Sequence, residues 1–90
     1  MTTSAEIASC ILALLRQRDP ASLICPSEVA RALSDDEAQW RPLMPQVREA
    51  ARMLAHGGAV VMTQREVVVD PDARPYGPLR LRRGPAFPET

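Results

Sequence analysis

The chain has 90 residues, of which 46% are apolar and 24% charged; 11 arginines balance 11 acids, with no lysine at all. That length holds one small domain with a shallow core, and the composition excludes wholesale disorder. Zero net charge excludes a polycation that coats nucleic acid in bulk, so nucleic-acid contact would have to come from charge placed unevenly along the chain.

The first element is a helix from Thr3 to Gln17. Thr3 and Glu6 have capping-box spacing, and Ile7, Cys10, Ile11, Leu14 and Leu15 recur on one helical stripe. Arg16 and Arg18 suit a helix C-terminus, and Asp19-Pro20 ends the run. Ser22, Leu23 and Ile24 then read as a short extended piece, and Pro26 pushes Cys25 the same way. Pro26 also suits the first turn of a second helix, Pro26 to Leu33, where its missing N–H costs nothing.

Ser34, Asp35, Asp36 and Glu37 offer a further cap and an acidic first turn. The third helical region, Glu37 to His56, carries Pro42 and Pro45, so it is expected to divide into a short turn around Trp40 and a main helix from near Leu43. Gly57-Gly58 closes that helix in a left-handed conformation. The period then changes: Ala59 to Thr63 and Glu66 to Asp70 are valine-rich strands joined by Gln64-Arg65 as a hairpin. Pro71 to Pro78 is a proline-rich connector, and Leu79-Arg80-Leu81-Arg82 alternates as a third strand or a segment laid along the domain. Residues 84–90 are expected to form a loose tail. The expected core is Leu14, Val29, Leu33, Val47, Leu54 and Val61.

Helix, short strand, helix, helix and hairpin is the order of a winged helix, an α+β fold in which a three-helix core carries a C-terminal β-hairpin wing; a single domain over residues 3–83 follows. The segments Ile24-Cys25-Pro26-Ser27-Glu28-Val29-Ala30-Arg31, Trp40-Arg41-Pro42-Leu43-Met44 and Val47-Arg48-Glu49-Ala50-Ala51 resemble a bacterial family of small proteins. Val61-Met62-Thr63-Gln64 and Gly77-Pro78-Leu79-Arg80 share that resemblance. The family is carried under a domain-of-unknown-function label. The resemblance implies a winged-helix-like fold and supplies no substrate, partner or catalytic residue.

Charge is polarised along the chain. Met1 to Glu37 holds three arginines against six acids, net −3, and Ala38 to Thr90 holds eight against five, net +3. Arg41, Arg48 and Arg52 share one side of the third helix, because steps of seven and four return to nearly the same angle. Arg65 lies at the wing turn, and Arg74, Arg80, Arg82 and Arg83 form an acid-free basic stretch. Double-stranded DNA is therefore the expected partner. Arg41, Gln46, Arg48 and Arg52 would read the major groove while Arg65, Arg80, Arg82 and Arg83 hold phosphates.

The alternative is an adaptor that binds a protein partner or itself, its arginines tied up in the fold. Arg52, three residues past Glu49, already has the spacing of an intrahelical ion pair. Paired arginines beside an apolar patch would favour the adaptor, and a continuous positive surface would favour DNA.

Other chemistry is thin. Cys25, ahead of a helix, has a position that favours thiolate, although a packed small side chain is the commoner role. Cys10, Cys25 and His56 do not have zinc-site spacing, so no metal and no cofactor are expected. His56 is placed to cap helix carbonyls. Trp40 reads as a core anchor, since Trp40, Tyr76 and Phe87 are too scattered for a base-stacking platform. No phosphate loop, carboxylate pair or nucleophile triad is present, so the chain reads as a non-enzyme. No apolar run approaches the ~18 residues of a membrane span, and a cytoplasmic location without membrane contact is expected.

Overall fold

Thr3 starts the first helix where its spacing predicts. In the computed structural model, which describes residues 2–73 and 77–88, α1 spans Ser4–Arg16 and the Thr3 hydroxyl accepts the Glu6 N–H at 3.1 Å. Ile7, Ile11 and Leu15 are buried along it, with Cys10 and Leu14 at the half-buried margins of the stripe. Pro26 opens α2 (Pro26–Leu33), which buries Val29 and Ala30. The prolines divide the next region as expected. A one-turn α3 (Glu37–Trp40) runs through a 3₁₀ turn (Arg41–Leu43) into α4 (Met44–His56), which buries Val47, Ala50 and Ala51.

The two glycines after α4 do different work. Gly57 is still right-handed, whereas Gly58 has φ +84°. Its N–H reaches the Ala55 carbonyl at 3.1 Å, and the Ala59 N–H reaches Leu54 at 3.0 Å. Those two bonds are the Schellman pattern that satisfies a helix's last carbonyls.

Three antiparallel strands follow in the order β2-β1-β3: β1 (Val60–Gln64), β2 (Val67–Val68) and β3 (Arg80–Arg83). The main pairing joins β1 to β3, with Met62 opposite Leu81 and Val60 opposite Arg83. The expected extended piece is present as Ile24, which exchanges two 2.8 Å backbone bonds with Leu81 on the outer side of β3. The protein is thus an α+β fold, helices on one face of a small antiparallel sheet.

Four expectations need correction. Val61 is not in the core; Val60 and Met62 are. Apolar residues occupy both parities of this strand, so alternation does not choose a face, and the register against buried Leu81 does. Leu14, Leu33 and Leu54 are only partly buried beside fully buried Val29 and Val47.

The hairpin loop is Arg65-Glu66 rather than Gln64-Arg65, because Gln64 pairs with Val67. Both loop residues are left-handed, at φ 50° and 68°. That backbone matches strand twist in a two-residue hairpin but disfavours side chains with a Cβ.

The segment after β3 is not loose over its described part. Gly84 and Ala86 donate to Ala59 and Gly58, both at 2.9 Å, and Phe87 is 8% exposed. A Cβ on Gly84 would meet the Gly58 carbonyl oxygen at 2.3 Å, so only glycine allows this approach. Phe87, the one aromatic of that segment, is buried against the core. Arg74 and Tyr76 lie outside the described residues, as do Glu89 and Thr90.

Replacing fully buried Ile11 with alanine should cost about 2–5 kcal/mol, and the same truncation at half-buried Leu54 should cost less. Urea unfolding checks the ranking. Converting Arg65-Glu66 to Asn-Gly should raise stability by about 1–2 kcal/mol, because both residues then suit the left-handed turn.

Candidate functional site

The polar side of α4 faces the connector. Pro71–Ala73 forms a 3₁₀ turn pinned by Asp70, whose carboxylate accepts the Asp72 N–H at 2.9 Å. This turn presents the Asp72 carboxylate to α4. One oxygen lies 3.2 Å from the Arg52 guanidinium and the other 3.3 Å from His56 Nε2. His56 therefore meets a carboxylate instead of capping carbonyls. Arg52 also donates from Nε to Glu49 at 3.0 Å and keeps only 21% of its side chain exposed. The Glu49 hydrogen bond, working against burial, and the charges of Glu49 and Asp72 hold the Arg52 pKa above its ordinary value. One helical repeat earlier, Arg48 Nη2 donates to the Gly77 carbonyl at 2.7 Å. Two arginines expected to enter a groove are engaged by the protein's own chain.

The other expected contacts lie in separate environments. Arg41 is exposed, pairs with Glu37 one turn back, and lies 5.7 Å from the Trp40 ring centre. Arg31 lies 5.9 Å from the same ring. Trp40 is half-buried and packs on the core, as an anchor residue would. Gln46 is exposed on α4. Arg65 is exposed at the hairpin turn, and Arg80 and Arg82 share the outer face of β3; none of these three has an ion pair among the described residues.

Arg83 stands apart. Its guanidinium gives bonds of 3.0 and 3.2 Å to the Leu15 carbonyl, and its Nη2 also reaches Arg16 at 3.2 Å and Arg18 at 2.9 Å. It caps the C-terminus of α1, where unsatisfied carbonyls and the helix dipole both favour a cation. Phe87 stacks 4.7 Å from the same guanidinium. The sequence shows Arg83 only as one more basic residue, and its capping role depends on a partner 68 positions away.

The cysteines differ. Burial pushes the Cys10 thiol up. At Cys25 burial also raises the pKa, but the Ser27 hydroxyl, 3.0 Å from the sulfur, the Ser27 backbone and the Arg80 charge together bring it below the ordinary value. Glu28 completes this corner. Its carboxylate accepts the Cys25 N–H at 3.4 Å and the Arg18 guanidinium at 2.8 Å. Among the described residues no cluster of His, Cys, Asp and Glu is arranged to hold a metal ion, and no helix is long and apolar enough to cross a membrane.

Against known proteins, residues 4–84 match the family described as Protein of unknown function (DUF3253). The chain belongs to the DUF3253 family. No curated protein matches it. The DUF3253 match stops at residue 84, so it includes Arg83 and leaves Phe87, the ring stacked on it, beyond its end.

Replacing Arg83 with alanine should cost about 2 kcal/mol, visible as a melting temperature lowered by several degrees, because charge-assisted bonds to helix carbonyls are lost. Lysine cannot reproduce the fork and should rescue only part of that loss. Iodoacetamide at neutral pH should modify Cys25 ahead of Cys10, and the Cys25 rate should level off at a lower pH, since the thiolate is the nucleophile. Mass spectrometry of the two peptides checks the order.

Proposed function

We propose that this DUF3253 protein is a winged-helix interaction module of the bacterial cytoplasm, which docks a protein partner and does not read duplex DNA. The helix order, and Ile24 lying beside β3 as a short extra strand, support the winged-helix layout. In that layout α4 is the helix whose outer face would enter a major groove.

The observation that carries the reading is the engagement of Arg48 by Gly77 and of Arg52 by Glu49 and Asp72. Phosphate would have to displace these contacts and would meet two carboxylates on the same face. The large apolar side chains left most exposed are Met53 on α4, Val67 and Val68 on the hairpin, and Leu23 beside the sheet. Met53 touches Arg52, its sulfur 3.6 Å from the guanidinium, and a paired arginine beside an exposed apolar side chain is what a protein-docking surface offers.

One observation favours duplex DNA as a second reading: Arg65, Arg80 and Arg82 carry no ion pair among the described residues. Contact there would be to backbone phosphates rather than base edges.

Titration of a random duplex at low and at physiological salt, with melting curves on the same preparations, separates the readings. The docking module predicts no salt-sensitive binding tighter than about 10⁻⁴ M, and a lower melting temperature for the Arg48→Ala/Arg52→Ala variant. Micromolar, salt-sensitive binding that this variant loses without a change in melting would overturn the proposal. Binding that survives there but is lost on replacing Arg65, Arg80 and Arg82 would establish the second reading.

A further inference from the structure

An open-sided cleft of about 830 Å³ lies between the hairpin tip and the start of β3. Its volume is within the ~300–1,000 Å³ of small-molecule sites. Its apolar lining comes from Leu23, Val67, Val69 and Pro78. Leu23 is 42% exposed and Val67 64%, so both keep apolar surface in water that a ligand would cover. Thr63 and Gln64 also line it, the Thr63 hydroxyl donating to the Arg80 carbonyl at 3.5 Å. Among the described residues, the charged members of the lining are Arg65, Arg80 and one acid, Glu66.

The two guanidiniums approach from different elements. Arg65 stands on the left-handed turn of the hairpin, and Arg80 opens β3 opposite Thr63. Arg80 uses one Nη1 bond, 2.9 Å long, on the Leu79 carbonyl next to it. A guanidinium has five donors in a planar fork, so donors remain for a carboxylate. An apolar wall with an excess of positive charge is complementary to a molecule with a hydrocarbon body and an anionic head. It disfavours a cation, and a neutral alcohol forgoes the charge pairing that a carboxylate gains.

We propose that this cleft is a binding site for a small amphipathic carboxylate, an acyl or aryl acid whose head pairs with Arg65 and Arg80 and whose body covers Leu23 and Val67. The site goes beyond the partner-docking reading and does not depend on it, although a ligand seated there would cover Leu23 and Val67 of that docking surface. Cys25 gives it a built-in reporter. The charge of Arg80 helps lower that thiol's pKa, and an anion seated on Arg80 would cancel part of the effect.

The test uses 8-anilinonaphthalene-1-sulfonate, an anion with an aromatic body, as fluorescent probe on the whole chain. Expected are a saturable signal with one probe per chain, displacement by decanoate, and much weaker displacement by decanol at equal concentration. Decanoate should also slow iodoacetamide labelling of Cys25. Arg65→Gln together with Arg80→Gln, which removes both charged contacts, should weaken probe binding about tenfold or more. Arg65→Gln alone, at an exposed turn, should weaken it less and leave the circular dichroism spectrum unchanged. No saturable signal, equal displacement by decanol, or unchanged affinity in the folded Arg65→Gln and double variants would each overturn the proposal.

Discussion

Leu81 joins the parts of this protein that local sequence leaves separate. Its backbone exchanges two bonds with Ile24 on one flank, and its strand pairs with β1 on the other. Its side chain is fully buried among residues from the helices and β1. Two residues on, at the same parity of the strand, Arg83 reaches the end of α1. A short strand of four residues thereby fixes the sheet, the linker between α1 and α2, and the first helix. Backbone pairing sets its place, and alternation then decides which side chain is core and which is cap.

Arginine does much of the structural work that a small core leaves undone. Arg83 spans three carbonyls, Arg52 bridges two acids on different elements, Arg48 holds a carbonyl of the connector, and Arg31 and Arg41 flank Trp40. A rigid fork with five donors can do this where a lysine ammonium, a single hydrated point, would serve less well. The net +3 of the later part of the chain is therefore a poor guide to its outer surface, since several of those charges are aimed at acids or at carbonyl dipoles within the fold.

The helices were legible because their signals are local. Thr3, Pro26, the spacing of Pro42 and Pro45, and Gly58 each act within a turn or two of their own position. The sheet was less so. Val60 to Met62 carries apolar residues at both parities, and only the distant Leu81 chooses between them. The turn slipped by one residue because Arg65 and Glu66 lack the Asn-Gly chemistry that marks a left-handed loop. The basic residues of the candidate site could be counted but not assigned. Whether Arg52 faces a phosphate or Asp72 depends on how the connector folds back, and proline content alone does not give that path. Phe87 was hidden for the same reason: its neighbours Arg16 and Arg83 are far apart in sequence and meet only in the fold.

The 68 positions between Leu15 and Arg83 bear on how the chain is made. During synthesis the segments of α1, α2 and α4 emerge first, and the strand that covers their common apolar side follows them. Until Leu81 arrives, Ile24 has no strand to pair with and Val60 and Met62 lack the partner that fixes their face. A nascent chain stopped short of β3 would expose that side and an unpaired strand edge, both of which invite association with other chains. Folding of this domain is thus tied to the arrival of β3, and a chain halted in the connector would be a sticky helical fragment.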